Sequence, residues 1–324
     1  MKERDEVIDI LRGFAILAVL FGHAIQRGLI YDYNKTIMWK VIYSFHMPLF
    51  VFLSGFTLYM STPIYNSKWL KNKCSRLMVP LIFWTIIVEL MSDFKFTGLK
   101  PFTAFPNTVS EFIKRTVLHP DWAFWFLWII FVFMMIFFIN DKLTRKLKNV
   151  QRYQILFFAL VEVIIIAILK LTKKDVFGLI QIQYYFPVFI CGYFASKYKS
   201  YIYKYLKYAV LPAAILWSLL FYSSINEDRI QKYILALSAI IVIYYFVTLL
   251  QKYLRWLTYF GKISLELYTC ESICLNIGFY NGYTRVISIF ITATVCSILL
   301  SKILKISKYT NYLAFGTYKS ETKL

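Results

Sequence analysis

Ile8-Asp9-Ile10-Leu11-Arg12-Gly13-Phe14-Ala15-Ile16-Leu17-Ala18-Val19-Leu20-Phe21-Gly22-His23-Ala24-Ile25-Gln26-Arg27-Gly28-Leu29-Ile30 is a mostly apolar run long enough to cross a bilayer as a helix. About 20 such residues span the hydrocarbon core. Nine further runs of this kind follow: Trp39–Met60, Leu77–Ser92, Trp122–Asn140, Tyr153–Leu171, Gly178–Ser196, Tyr208–Ile225, Ile230–Leu250, Leu257–Phe279 and Val286–Leu304. The third and ninth are the least regular, and the ninth carries Gly261, Glu266 and Glu271. The expected fold is all-α: a polytopic transmembrane helix bundle of about ten spans. Residues 1–304 form one transmembrane domain, and residues 305–324 a polar, mobile cytoplasmic tail.

Composition agrees. The chain is 59% hydrophobic with a mean hydropathy of +0.58, above the usual 45–50% apolar content of a soluble domain. Thirty Phe, 26 Tyr and 8 Trp stand against 11 Gly and 8 Pro, which fits long helices with aromatic interfacial belts. The net charge of +20 raises the thought of nucleic acid. The basic residues cluster in short connections instead, and no soluble basic face remains to dock a duplex. Most Lys and Arg fall in segments 1–7, 61–76, 141–152, 197–207, 251–262 and 302–324, which places both termini in the cytoplasm. The five Cys form no CxxC pair and read as small buried hydrophobes; no metal site is expected. No cleavable signal peptide is expected either, because the first apolar run is too long and lacks a small-residue cleavage site. The one long connection, 93–121, is expected on the outer side of the membrane, opposite the cytoplasmic termini, packed over the helices.

Charges at bilayer depth mark function. This chain has Asp9, Arg12, His23, His46, Glu89, Glu162, Glu266 and Glu271. Asp9 and Arg12, three apart, share a helical face and can pair. Arg12 and His23, eleven apart, point the same way across about 16 Å of rise. A guanidinium suits a phosphate-bearing ligand, and an imidazole suits general-base work on a hydroxyl. A structural ion pair and a core histidine would also account for the pattern. Pro48 is expected to kink the second run, Ser54-Gly55 to permit close helix approach, and His46 to serve packing or hydrogen bonding. Lys73 and Arg76 fall on one helical face, either as an ordinary inner-side anchor or as a clamp for donor phosphates.

These residues resemble the blocks of a known family. Arg4…Asp9-Ile10-Leu11-Arg12-Gly13-Phe14…His23 resembles the opening of the acyltransferase-3 family, with its Arg-x10-His signature. Phe45–Phe56 resembles the second-helix block, and Lys73-x-x-Arg76…Pro80 is similar to the basic block that opens the third. Trp125-Phe126-Leu127 and Gly261-Lys262-Ile263-Ser264-Leu265-Glu266-Leu267-Tyr268 resemble two later blocks, in family order. Lys73 stands where Arg is common, and Glu271 where His is frequent, so Glu271 would have to act as a carboxylate.

The resemblance implies an O-acyltransferase of the cell membrane. Such enzymes take acyl, usually acetyl, from cytoplasmic acetyl-CoA to a hydroxyl of an envelope or capsular polysaccharide, or of a lipid-linked sugar. His23 is then the expected base, with Arg12 and Glu271 also catalytic. Lys73 and Arg76 would hold the donor. Asp9, His46, Ser54, Ser264 and Tyr268 are expected in support. The alternative from the embedded charges is a transporter or exporter of a glycan, against which no inverted repeat is visible.

Overall fold

The structure, a computed structural model, describes residues 5–29, 32–61, 65–92, 124–147, 149–172, 177–222, 229–275 and 282–318. Thirteen α-helices are found there: α1 Glu6–Gly28, α2 Ile37–Ser61, α3 Ser67–Ser92, α4 Trp125–Thr144, α5 Val150–Thr172, α6 Leu179–Lys197, α7 Lys199–Tyr222, α8 Arg229–Leu249, α9 Gln251–Leu254, α10 Leu257–Lys262, α11 Ser264–Cys274, α12 Gly282–Ile306 and α13 Lys308–Phe315. The connection 93–121 and the side chain of Glu89 lie outside the described residues. Two compact units emerge. The first is Met1–Met60 with Val188–Lys302; the second is Ser61–Pro187 with Ile303–Leu324.

Among the described residues, seven helices are long and apolar enough to cross a membrane: α1, α2, α4, α5, α7, α8 and α12. About 67% of the apolar window of α1 and of α2 is buried by protein, against 11% in α5 and α7. So α1 and α2 are mostly covered by protein, while α5 and α7 leave most of their apolar surface uncovered. The polar residues of α1 therefore sit on a helix that is mostly covered by protein.

Three readings change. The segment 61–76, expected as a connection, is helical from Ser67, because Asn66 caps α3 by accepting from the Trp69 amide at 2.8 Å. In the expected span Leu257–Phe279 the described part is instead two short helices, α10 and α11, meeting at Ile263 (φ −108°, ψ 21°), and residues 276–279 lie outside the described residues. Its six- and eleven-residue pieces are each too short to cross. The tail is not wholly a mobile extension: α13 is capped by the Ser307 hydroxyl and ended by Gly316, whose φ of +67° suits a residue without a Cβ. It packs on α3, where the Trp84 indole donates to the Ala314 carbonyl at 2.9 Å and the Ser75 hydroxyl to that of Gly316 at 3.1 Å. Pro48 is accommodated inside α2, which continues as one helix from Ile37 to Ser61.

In the first unit α1 is clasped on one side by α10. A Cβ on Gly13 would sit 2.0 Å from the Leu257 carbonyl oxygen, and one on Gly261 would sit 1.9 Å from that of Asp9. Each glycine is therefore the only residue that lets the partner backbone so close, and the two contacts are reciprocal. Gly55 and Gly192 make the same kind of crossing between α2 and α6, as the Ser54-Gly55 pair predicts.

Candidate active site

The first unit gathers the charged seam of α1. Asp5 caps the helix by accepting from the Val7 amide and pairs with Lys199, Nζ to Oδ2 at 2.5 Å. Glu6 accepts from Gln251 and lies 3.2 Å from Arg255. These contacts hold the charged end of α1 against α7 and the α9 region. One turn on, Asp9 is buried, with its carbonyl at the Gly261 crossing. Arg12 is half-buried and donates from Nη2 to the Thr57 hydroxyl of α2 at 2.9 Å. Thr57 in turn donates to the Leu53 carbonyl at 2.9 Å, a bond that orients its oxygen. Thr57 carries no signal in the sequence, since threonines back-bonding within apolar helices are common.

Three turns further along the same face, the His23 Nδ1 lies 3.1 Å from Oε1 of Glu271 on α11. The histidine side chain is 33% exposed and the glutamate 4%. With Glu271 as a carboxylate, which only accepts, Nδ1 is the donor, and in the neutral tautomer that makes this bond the lone pair lies on the second ring nitrogen. This is the arrangement of a base oriented by an acid. Glu271 Oε2 is buried without a hydrogen-bond partner among the described residues. The imidazole is thus the main polar contact of a carboxyl group that burial would otherwise penalise. Electrostatic interactions with Glu271 also reach Tyr43 and Cys274. The Tyr43 ring packs on Gly22, beside His23.

The α10–α11 break brings the acid to this place. Gly261 anchors α10 on α1, and after the interruption at Ile263 a new helix carries Tyr268 and Glu271 inward, both buried. Ser264 opens α11, half-buried. His46 is buried on α2, with Nδ1 2.8 Å from the Ile42 carbonyl and its ring edge-on to Tyr43. Both contacts are to residues of its own helix. Ser54 likewise donates to the Phe50 carbonyl at 2.8 Å.

A family model described as an acyltransferase domain matches residues 5–305. The chain belongs to the acyltransferase-3 family. With its apolar helices, that membership makes it an integral membrane protein. It is similar to the nodulation protein NolL of Sinorhizobium fredii, 27% identical over 206 residues, covering 60% of this chain and 50% of that protein. It is also similar to NolL of Mesorhizobium japonicum, 29% identical over 140 residues, or 40% and 34% of the two chains. The chain spans about half the length, or less, of these curated relatives. No solved structure matches it.

The basic block of this acyltransferase-3 chain lies in the second unit, on α3. Lys73 is half-buried and Arg76 exposed, three residues apart on one helical face. The Lys73 ammonium lies 5.7 Å from the centre of the Trp69 ring, one turn earlier. Gly316 presses against the backbone of Ser75 and Arg76, so α13 buttresses this stretch. On α5, Glu162 has a buried Oε1 with no hydrogen-bond partner among the described residues.

Proposed function

We propose that the protein is a membrane-bound O-acyltransferase that moves acetyl from cytoplasmic acetyl-CoA to a hydroxyl of a cell-surface or capsular polysaccharide, or of its lipid-linked precursor, at the cell membrane. The His23–Glu271 pair carries this reading. A histidine that is partly open on one side and held by a buried carboxylate on the other is equipped to take a proton from a hydroxyl. In the proposed reaction Glu271 fixes the ring through Nδ1–H. The Nε2 lone pair accepts the acceptor hydroxyl proton as that oxygen attacks the thioester carbonyl. The tetrahedral intermediate collapses with cleavage of the carbon–sulfur bond, and the proton on Nε2 passes to the departing thiolate, giving the acetyl ester and free CoA thiol. Arg12, tied to Thr57, supplies a fixed positive charge on the same face of α1 for the donor or the developing oxyanion. Lys73 and Arg76, in the second unit, hold donor phosphates as charge-assisted partners.

Labelled acetyl-CoA supplied to membranes tests this directly. Label is expected in the surface glycan of cells expressing the wild-type protein, and not with His23→Ala at equal protein level. Label transfer by His23→Ala at the wild-type rate would overturn the assignment. Glycan movement without any label transfer would favour the transporter reading instead.

A further inference from the structure

On α3, Trp69, Lys73 and Arg76 are spaced i, i+4, i+7, a single stripe on one face. Across from it, Phe138 of α4 lies with its ring nearly parallel to that of Trp69, 3° apart in plane and 6.1 Å between centres. Lys142, one turn after Phe138, holds its ammonium 5.6 Å from that ring, as Lys73 does at 5.7 Å from Trp69. Tyr65 meets Trp69 edge-on at 4.9 Å and steadies the indole. Trp69 and Phe138 are half-buried, whereas Arg76 and Lys142 are exposed, so the stripe is open to a ligand. All of these residues belong to the second unit.

An aromatic wall flanked by cations at helical-turn intervals has the chemistry of a nucleotide site. A planar base stacks on the ring face, and phosphates meet the ammonium and guanidinium groups. The order along α3 also matters. Lys73 lies about 6 Å and Arg76 about 10 Å of rise beyond Trp69, toward the apolar part of the helix. The geometry points to Trp69 and Phe138 as the platform for the adenine base of the acyl donor, with Lys73, Arg76 and Lys142 around its phosphates. The base lies at the Trp69 end of the stripe, and the pantetheine arm runs on past Arg76. This assignment rests on the acyltransferase reading. Its competitor is an ordinary interfacial belt, in which Trp69 and the lysines only anchor the helices at the headgroup level.

Adenosine 3′,5′-bisphosphate, which carries the base and phosphates but no pantetheine, separates the two. In membranes turning over labelled acetyl-CoA it is expected to compete with the donor. Trp69→Leu is expected to weaken that inhibition on the order of tenfold, while Trp69→Phe, which keeps a ring face, retains most of it. An uninhibited wild-type enzyme, or a Trp69→Leu enzyme inhibited as strongly as wild type, would overturn the proposal. Should Trp69→Leu show no turnover, a thermal-shift measurement on the purified full chain decides. The bisphosphate is expected to raise the melting temperature of wild type and not that of Trp69→Leu or Phe138→Leu; equal shifts, or none in wild type, overturn it. Absence of any transfer from acetyl-CoA by the wild type is a different result. It would sink the acyltransferase reading itself, and the thermal shift would still report whether the nucleotide binds.

Discussion

At the scale of single residues, the decisive feature is that Glu271 touches only one end of the His23 ring. Nδ1 meets the carboxylate at 3.1 Å, which leaves the other nitrogen for the proposed proton transfer. Glu271→Gln keeps the shape but replaces a charge-assisted bond with a neutral one and lets the ring reorient. We expect kcat to fall by about 10²-fold with protein level unchanged, the scale of a disabled general base. Glycan acetate content and single-turnover rates would check this; full activity in that variant would show that the acid is structural. Arg12→Lys should be worse than charge retention alone predicts. A compact ammonium on a shorter reach loses the 2.9 Å bond to Thr57. Thr57→Val, which removes the acceptor but keeps the shape, is expected to lower transfer in the same direction by a smaller factor, read in the same assay. Inactivity of Arg12→Lys alongside unaltered Thr57→Val would separate the charge from its anchor.

At the scale of elements, the α1–α10 crossing positions the acid. Gly13 and Gly261 each leave room for the other helix's carbonyl, and an added methyl at either would overlap an oxygen at about 2 Å. Gly261→Ala must therefore push α10 away from α1, at a cost of about 1–3 kcal/mol typical of overpacking. Because α11 follows directly, the shift should also loosen Glu271 from His23. The measurable outcome is a lowered melting temperature in detergent together with reduced transfer. The two glycines serve one crossing, so Gly13→Ala with Gly261→Ala should cost less than the two single changes added. Strict additivity would mean that the crossing relaxes independently at the two places. The second unit offers a similar test. Trp84→Phe loses the bond to the Ala314 carbonyl and should detach α13 from α3 at about 1 kcal/mol, seen as faster proteolysis after Ile306.

At the scale of the whole molecule, the charge distribution makes a topological prediction. Basic residues gather in alternate connections, so both chain ends are expected in the cytoplasm. A fluorescent protein fused after Leu324 should fluoresce, and alkaline phosphatase fused there should be inactive. The reverse pattern would invert the membrane orientation and remove the cytoplasmic donor from Lys73 and Arg76.

Much of this was legible without coordinates. Apolar runs of bilayer length decide an all-α membrane protein, because lipid allows no unpaired backbone. The 3.6-residue period alone puts Arg12 and His23 on one face of α1, and Lys73 and Arg76 on one face of α3. Only the tertiary structure decided what covers those faces. Glu271 is 248 residues from His23, and its helix begins after a break inside what reads as one apolar span. Thr57 and the reciprocal glycines are similarly silent, since small and hydroxyl residues in apolar helices serve many purposes. Residues 308–315 read as a polar tail because a helix of eight residues buries only a narrow stripe, here Asn311, Ala314 and Phe315. Periodicity reports the face a helix presents to its own axis, a local property of one segment. Which distant face meets it is set by packing over the whole chain, and the pairing of imidazole with carboxylate belongs to that second kind of information.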